Sequence, residues 1–341
     1  MWASAKYGYE FRGCIESSMP LHASQFRRSV KVLARAGAAL ACISCAAQAL
    51  VIELKDVAAD RVERQRAAAA GALPLPNTPN VSEFNDRVKA KGVRLSSPVI
   101  IRVFKSESEL EVWKEKDGAF LLFATYPICH WSGSVGPKLR DGDKQAPEGY
   151  YTVNRAQTHH QGRWPKSLNI GFPNILDQSQ ARTGSNILIH GGCSSVGCFA
   201  MTNPVMDEIH LLTESAIDGG QEHVPVQVYP FRMTDQNMQA NASSPWMNFW
   251  ANMKEGYDAF EKTHQSVAVS VCDGQYYFQP ANRANEAGPL SACQPTLTGI
   301  HEQNDWLRDV PAPSMRKIEG NSQPGARPQL PQANALGNPP G

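Results

Sequence analysis

The chain has 341 residues, of which 42% are hydrophobic and 8% aromatic, so it can bury a sizeable core in one large or two small domains. Its formal net charge of +1 at pH 7 provides no strongly basic surface, which argues against a protein that binds nucleic acid or another polyanion.

The first 49 residues have the pattern of a secretory signal peptide. Basic residues at positions 27–35 precede an apolar run over 36–47, and Ala47-Gln48-Ala49 fits a small-x-small cleavage site. The run is short for a membrane span, so we expect cleavage after residue 49 rather than a transmembrane anchor. Translation starts at Met1 or at Met19, because residues before Met19 add nothing that a signal peptide needs.

The rest of the chain divides into four segments. Residues 50–81 are rich in Ala, Pro and Asn and predict a tether. Residues 82–234 predict the main domain, with its core at about 98–230, and residues 235–313 predict an extension made of a helix and a β-hairpin. Residues 314–341 are rich in Pro, Gly, Gln and Asn and predict a disordered tail.

Local patterns place the elements within these segments. Alternating or β-branched runs predict strands at 98–105, 110–116, 119–127, 149–153, 187–190, 224–229, 267–272 and 275–279. Helical spacing predicts helices at 57–70, 82–91, 203–214 and 246–264. Asp117-Gly118 and Asp273-Gly274 predict two-residue hairpin turns. The predicted fold is therefore mainly β with flanking helices, a mostly antiparallel β-sandwich.

The densest group of chemically active residues lies between His190 and Cys198, with Gly191, Ser195 and Gly197 between them. A cysteine becomes a strong nucleophile when a neighbouring imidazole takes its proton. A glycine before the cysteine lets a substrate carbonyl approach, and the backbone amides at Gly197 and Cys198 would stabilise an oxyanion. We therefore predict Cys198 as nucleophile and His190 as the group that accepts and donates the proton.

These residues resemble the YkuD-type L,D-transpeptidases of bacterial cell walls, and within them the YafK-like branch. The signature is His-Gly at a strand end followed by Ser-x-Gly-Cys, here 190–191 and 195–198. Val196 replaces the wider family's usual histidine, as it does in that branch. Further similar segments within about 82–280 are Arg102-Val-Phe-Lys105, Gly136-Pro-Lys138, Ala146-Pro-Glu-Gly-Tyr150, Leu168-Asn-Ile-Gly-Phe-Pro173, Ala200-Met-Thr202 and Tyr229-Pro-Phe-Arg-Met-Thr234.

The resemblance implies a YkuD-like β-sandwich and an exported acyltransferase in the periplasm or cell envelope that acts on peptidoglycan stem peptides. Cys198 would form a thioester with the third stem residue. An amine of a second stem, or of an envelope lipoprotein or outer-membrane protein, would then resolve it. No cofactor is expected. Three alternatives remain: an amidase of the same family that releases wall-linked protein or trims stems, an unrelated secreted cysteine protease, and a non-catalytic wall-binding module.

The resemblance also suggests roles for the surrounding residues. The Gly191 carbonyl would orient the imidazole of His190, and Ser195 would either bind substrate or shape the turn. Lys138 and Arg182 would bind stem-peptide carboxylates, because both side chains carry a fixed positive charge.

Cysteine counting adds an expectation about redox state. Five of the eight cysteines follow the expected cleavage site, so an oxidising compartment leaves at least one of them unpaired. With Cys198 as the free nucleophile, we predict the disulfides Cys129–Cys193 and Cys272–Cys293. Alternatively, Cys193 would act as a second thiol that resolves an oxidised Cys198.

The histidines do not predict a metal site. His130, His159 and His160 have a spacing that fits no common zinc pattern with the available carboxylates. His210 and His223 are expected at the surface.

Overall fold

A computed structural model of the chain describes residues 59–159, 162–281, 288 and 290–293. The expected signal peptide and the expected disordered tail lie outside these residues. The helices are α1 (Ala59–Ala69), α2 (Phe84–Lys91), α3 (Ile175–Ser179), α4 (Asn203–Asp218), α5 (Asp235–Ala240) and α6 (Met247–Thr263). The strands are β1 (Val99–Phe104), β2 (Glu109–Lys116), β3 (Ala119–Pro127), β4 (Gly149–Val153), β5 (Ser167–Asn169), β6 (Leu188–His190), β7 (Phe199–Ala200), β8 (Val224–Tyr229), β9 (Val267–Cys272), β10 (Gln275–Pro280) and β11 (Ser291–Ala292).

A five-stranded sheet in the order β3-β2-β1-β8-β4 forms the centre of the fold. Its pairs are antiparallel except for β1 with β8, which run parallel. Every residue of β1 and of β8 is buried. Strands buried on both faces read as continuous apolar runs rather than as alternation, and Val99-Ile-Ile101 at the start of β1 is such a run.

One face of this sheet packs against α4 and the small sheet β5-β6-β7. The buried apolar residues of α4 follow the three- and four-residue spacing of one helix face. They are Val205, Met206, Ile209 and Leu212. These side chains share a buried cluster with Val99 and Ile101 of β1 and with Ile189 of β6. This packing fixes β6, whose last residue is His190, against the main core.

The other face of the sheet packs against the C-terminal extension. Trp250, Met253 and Tyr257 of α6 join Phe104 of β1 and Phe278 of β10 in a second buried cluster. The aromatic side chains of this helix therefore serve as packing surface. The extension and the central sheet share one core on this side.

The segment expected to be a tether contains α1, which docks on the main domain. The Arg61 guanidinium donates to the Trp131 carbonyl at 2.7 Å and lies 3.7 Å from the centroid of its indole ring. Arg64 donates to the Ile128 carbonyl at 2.9 Å. Leu75, which follows the helix, is 2% exposed. Charged side chains hold this segment by donating to backbone carbonyls, a contact that leaves no periodic pattern in the sequence.

The predicted combination of β-sheets and flanking helices is confirmed, and each predicted strand and helix is present. The structure adds short elements such as β5, β7 and α3, which have five residues or fewer. Over the described ranges, no helix has the length and apolar content needed to cross a bilayer.

Candidate active site

The register of the small sheet brings the two motif halves together. β6 and β7 run parallel, with Ile189 opposite Phe199 and His190 opposite Ala200. Cys198 directly precedes β7 and lies next to the Leu188 backbone of β6, two residues before His190. The pairing of the two strands therefore brings the candidate nucleophile and the candidate base to neighbouring positions of the small sheet.

The Cys198 thiol lies against the backbone of β6. The Leu188 N–H donates to Sγ at 3.3 Å, and the thiol lies 3.6 Å from the Asn186 carbonyl oxygen, to which it donates. Burial raises the pKa of the Cys198 thiol, against the lowering effect of the Leu188 N–H, of Ser195 and of the Lys138 charge. The resting cysteine is therefore a thiol, which needs a base to become a nucleophile.

His190 is buried and held by its own loop. Its Nδ1 lies 2.6 Å from the Gly191 carbonyl, so Nδ1 carries the hydrogen and Nε2 is the basic nitrogen of the ring. The indole of Trp164 stacks on the imidazole at a centroid distance of 4.9 Å and an interplanar angle of 19°. Gly192 has φ +87°, and a Cβ there would lie 2.0 Å from that indole, so only glycine fits under Trp164.

Two serines fix the loop between His190 and Cys198. Ser195 Oγ accepts from the Cys198 N–H and donates to the Cys198 carbonyl, both at 2.8 Å. The Gly197 N–H donates to Ser132 Oγ at 2.7 Å. Ser195 thus shapes the turn here, and the Gly197 N–H meets a serine hydroxyl that a substrate oxyanion would have to displace.

Lys138 and Arg182 are buried, and each pairs with a carboxylate of this chain. Lys138 Nζ lies 2.5 Å from Asp143 Oδ1, and it lies near enough to Cys198 to lower the pKa of the thiol. Arg182 lies 2.8 Å from Asp177 Oδ1, with its guanidinium 4.9 Å from the Phe249 ring centroid. Lys138 and Arg182 are therefore already paired with carboxylates of this chain. To bind a stem carboxylate, each would have to contact it in addition to Asp143 or Asp177.

The structure joins Cys129 to Cys193 and Cys272 to Cys293, and Cys198 remains a thiol. The first disulfide connects the chain after β3 to the loop that follows His190. The two cysteines share a small buried cluster with Leu75. The loop that follows His190 is therefore covalently connected to the end of β3 through Cys129.

Comparison with known proteins decides the family. Residues 98–228 match the model of the YkuD family, described as an L,D-transpeptidase catalytic domain. The chain is 44% identical over 182 residues to the protein named "Putative L,D-transpeptidase YafK" of Escherichia coli strain K12, covering 53% of this chain and 74% of that protein. The same protein of Escherichia coli O157:H7 matches equally. The chain belongs to the L,D-transpeptidase family.

Two solved structures are also similar to this chain. The helical cell shape determining protein Pgp2 of Campylobacter jejuni has a TM-score of 0.31 and 19% identity, covering 54% of this chain and 66% of that chain. Bd1075 of Bdellovibrio bacteriovorus has a TM-score of 0.29 and 16% identity, covering 49% of this chain and 59% of that chain. The chain thus spans somewhat less than two thirds of either neighbour.

Two residues of this candidate site do not emerge from the sequence analysis. Ser132 reaches Gly197 from 65 residues away, and Trp164 covers His190 from a loop before β5. The adjacent glycines Gly191 and Gly192 are the available signal for the second contact, because paired glycines mark a close approach to the backbone. Nothing in the local pattern around Ser132 distinguishes it from an ordinary loop serine.

Proposed function

We propose that this member of the L,D-transpeptidase family is an exported cysteine acyltransferase that acts on peptidoglycan stem peptides through a thioester on Cys198. The observation that carries the proposal is the pairing of β6 with β7, which brings Cys198 beside the strand that ends at His190. Among the cysteines that the structure describes, Cys198 is the one left as a thiol, whereas four others form disulfides.

The acylation step begins with proton transfer. His190 Nε2 takes the Cys198 proton as Sγ attacks the carbonyl carbon of the third stem residue. Because burial raises the pKa of the thiol, Sγ needs His190 to accept its proton for the attack. The amide bond to the departing residue, typically D-alanine, then breaks. The imidazolium returns its proton to the leaving amine, and the acyl group stays on Sγ as a thioester.

The deacylation step repeats this chemistry with an acceptor. An amine from a second stem, or from an envelope lipoprotein or outer-membrane protein, attacks the thioester carbon. His190 takes a proton from that amine and returns one to the departing Sγ, which restores the thiol. Water in place of the amine would give hydrolysis, the reaction of an amidase of the same family.

The rest of the site supports substrate binding beside Cys198. The Cys198 N–H and the Gly197 N–H both point at serine hydroxyls, which an oxyanion would replace as acceptor. Lys138 contributes positive charge close to Sγ and would stabilise the developing negative charge or a stem carboxylate. The paired cysteines support export, because disulfides persist in oxidising compartments.

Mass spectrometry of the reaction products tests the proposal. Protein beginning at Leu50 is incubated with purified stem tetrapeptides that end in D-alanine, and products and intact protein mass are followed together. We expect a cross-linked product that has lost one D-alanine, and an acyl adduct on the protein that disappears in Cys198→Ala. Tripeptide without cross-link would favour the amidase alternative. Untouched peptide with no adduct, at any acceptor concentration, would refute the cysteine acyltransferase.

A further inference from the structure

Three ligand-type side chains meet where α4 approaches the backbone at Thr158. Their nitrogen and carboxylate oxygen atoms all lie within 4.8 Å of one another, in the group His159, His210 and Glu214. His159 Nε2 lies 3.2 Å from one Glu214 oxygen, and His210 Nδ1 lies 3.2 Å from the other. His210 and Glu214 are one helical turn apart on α4, so the helix itself presents two of the three groups.

The two ring nitrogens of His210 face different partners, a backbone carbonyl at Nε2 and a carboxylate at Nδ1. The sequence predicts His210 at the surface, but its side chain is buried, with 5% of the residue exposed. The ring extends from α4 to the backbone at Thr158. Nε2 lies 2.7 Å from the Thr158 carbonyl oxygen and therefore carries a hydrogen. A neutral ring then presents the lone pair of Nδ1 to a carboxylate. That contact is favourable only with a second proton on the ring or with a cation between the two groups.

A histidine that donates one ring N–H to a backbone carbonyl has the arrangement typical of metal ligands. The carbonyl fixes the tautomer and the ring orientation, and the other nitrogen faces the ion. Two imidazoles and a carboxylate form a donor set that suits Zn²⁺, with water completing a tetrahedron. Thr158 gives His210 this orientation, and the opposing groups from His159 and Glu214 supply the remaining donors.

A competing cation lies nearby. Arg155 Nη1 is 3.6 Å from the Glu214 oxygen that also faces His159. The other end of the same guanidinium contacts the Asp218 carboxylate. Arg155 can therefore stay paired with Asp218 while Glu214 turns to an ion, although its charge lowers the affinity of the group for a metal.

We propose that His159 Nε2, His210 Nδ1 and a Glu214 carboxylate oxygen form a Zn²⁺ site. This goes beyond the proposed acyltransferase reaction, which assigns no role to these three residues. His159 forms an antiparallel bridge with Lys166, and the residues between them include Trp164, which stacks on His190. An ion held between His159 and α4 would thus fix the start of the loop whose Trp164 covers His190.

Calorimetric titration with ZnCl₂ tests the site. All measurements use the chain from Leu50 with Cys198→Ser, after chelation, so that the active-site thiol does not contribute a second site. We expect one Zn²⁺ per chain and no response to MgCl₂. His159→Gln and Glu214→Gln should each weaken binding by more than the roughly 10- to 100-fold that loss of an outer-shell partner costs. Arg155→Gln should strengthen it.

Matched controls separate a site from general histidine and carboxylate binding. Glu222→Gln and His223→Gln should leave affinity and stoichiometry unchanged. His159 is 64% exposed at its side chain, so His159→Gln decides the matter even if a change on α4 disturbs folding. Equal affinity in His159→Gln and the parent, or no stoichiometric binding in the parent, would overturn the proposal. The group would then be an imidazolium–carboxylate pair.

Discussion

The environment of Cys198 contains opposing influences on its thiol. Burial raises the pKa, while the Leu188 N–H, Ser195 and the charge of Lys138 lower it, and burial dominates. A preformed thiolate–imidazolium pair would need the opposite balance. Reactivity at this residue therefore depends on His190 as a base during attack, and the Gly191 carbonyl keeps the ring in the required tautomer.

Replacement of His190 should expose this dependence. In His190→Ala, the rate of Cys198 alkylation by iodoacetamide near neutral pH should fall by about 100-fold, in the range that a positioned base contributes. Turnover of stem peptide should fall at least as far. Labelled-peptide mass spectrometry measures the alkylation rate, with Cys198→Ala as the unlabelled baseline and His223→Ala as the matched histidine control. An unchanged alkylation rate would argue against His190 as base.

His130 gives a second prediction at the scale of one residue. It is 3% exposed and forms a backbone bridge with Ala200, next to the strand end at His190. Burial, and after it the charge of Arg61, lowers the pKa of His130 from 6.5 to about 4. Below pH 6.5 the unfolded chain binds the proton more readily, so folding stability falls as pH drops from 6.5 to 4.

Protonation of His130 should lower the free energy of unfolding by about 3 kcal/mol between pH 6.5 and pH 4. Denaturant unfolding at pH 4.5, 5.5 and 7 measures it. In His130→Asn the same measurements should show a shallower decline of unfolding free energy between pH 7 and 4.5 than in the parent. A decline of equal steepness in both proteins would assign the acid sensitivity to other groups.

At the scale of elements, a buried charge pair positions the loop beside the site. Lys105 at the end of β1 donates to the Gly136 and Ala146 carbonyls and to Glu148, at 2.8–2.9 Å. Glu148 accepts in turn from the Gly136 N–H and from the Trp250 indole on α6. The helix of the extension thereby holds the same loop that supplies Ser132 and Lys138.

Breaking this pair should cost far more than breaking a surface pair. Both side chains are fully buried, so Glu148→Gln leaves Lys105 without its counter-charge and should lower the unfolding free energy by about 3–5 kcal/mol. Asp207→Asn removes the exposed pair with Lys166 and should cost less than about 1 kcal/mol. Denaturant unfolding compares the two variants. Equal losses would mean that the buried network does not hold the loop.

Elements with a strong local pattern were predictable, and those defined by partners were not. The hairpin of β2 and β3 follows from two β-rich runs around Asp117-Gly118, where Asp117 adopts φ +54°. β7 has two residues and exists because it pairs with β6, so no periodicity marks it. The docking of α1 was likewise hidden, since Arg61 and Arg64 donate to carbonyls that only the fold brings near.

The same distinction applies to the candidate site. Cys198 and His190 follow from a motif in which residue type and spacing carry the chemistry. The sequence analysis assigns Lys138 and Arg182 to substrate carboxylates, whereas each lies within 3 Å of a carboxylate five residues away along the chain. A single charge in a sequence does not reveal which partner it will have after folding, because that depends on the turn between them.

At the scale of the whole molecule, two disulfides connect distant parts of the chain and leave Cys198 as the thiol among the cysteines of residues 59–293 that the structure describes. Cys129 and Cys193 are 64 residues apart in sequence, and Cys272 and Cys293 are 21 apart. In the chain-entropy model, bridges closing loops of these lengths stabilise by about 4 and about 3 kcal/mol, respectively. The first also ties the loop after His190 to the core, so its loss should affect both stability and turnover.

Non-reducing peptide mapping of exported protein, with alkylation before digestion, measures the pairing. We expect both disulfides, and alkylated Cys198 as the free thiol among the described cysteines. The double variant Cys129→Ala with Cys193→Ala should lose more unfolding free energy than Cys272→Ala with Cys293→Ala, because it opens the longer loop and a buried cluster. A dominant Cys193–Cys198 disulfide in active protein would contradict this scheme, since the proposed nucleophile would then be blocked, and would indicate redox control of the site instead.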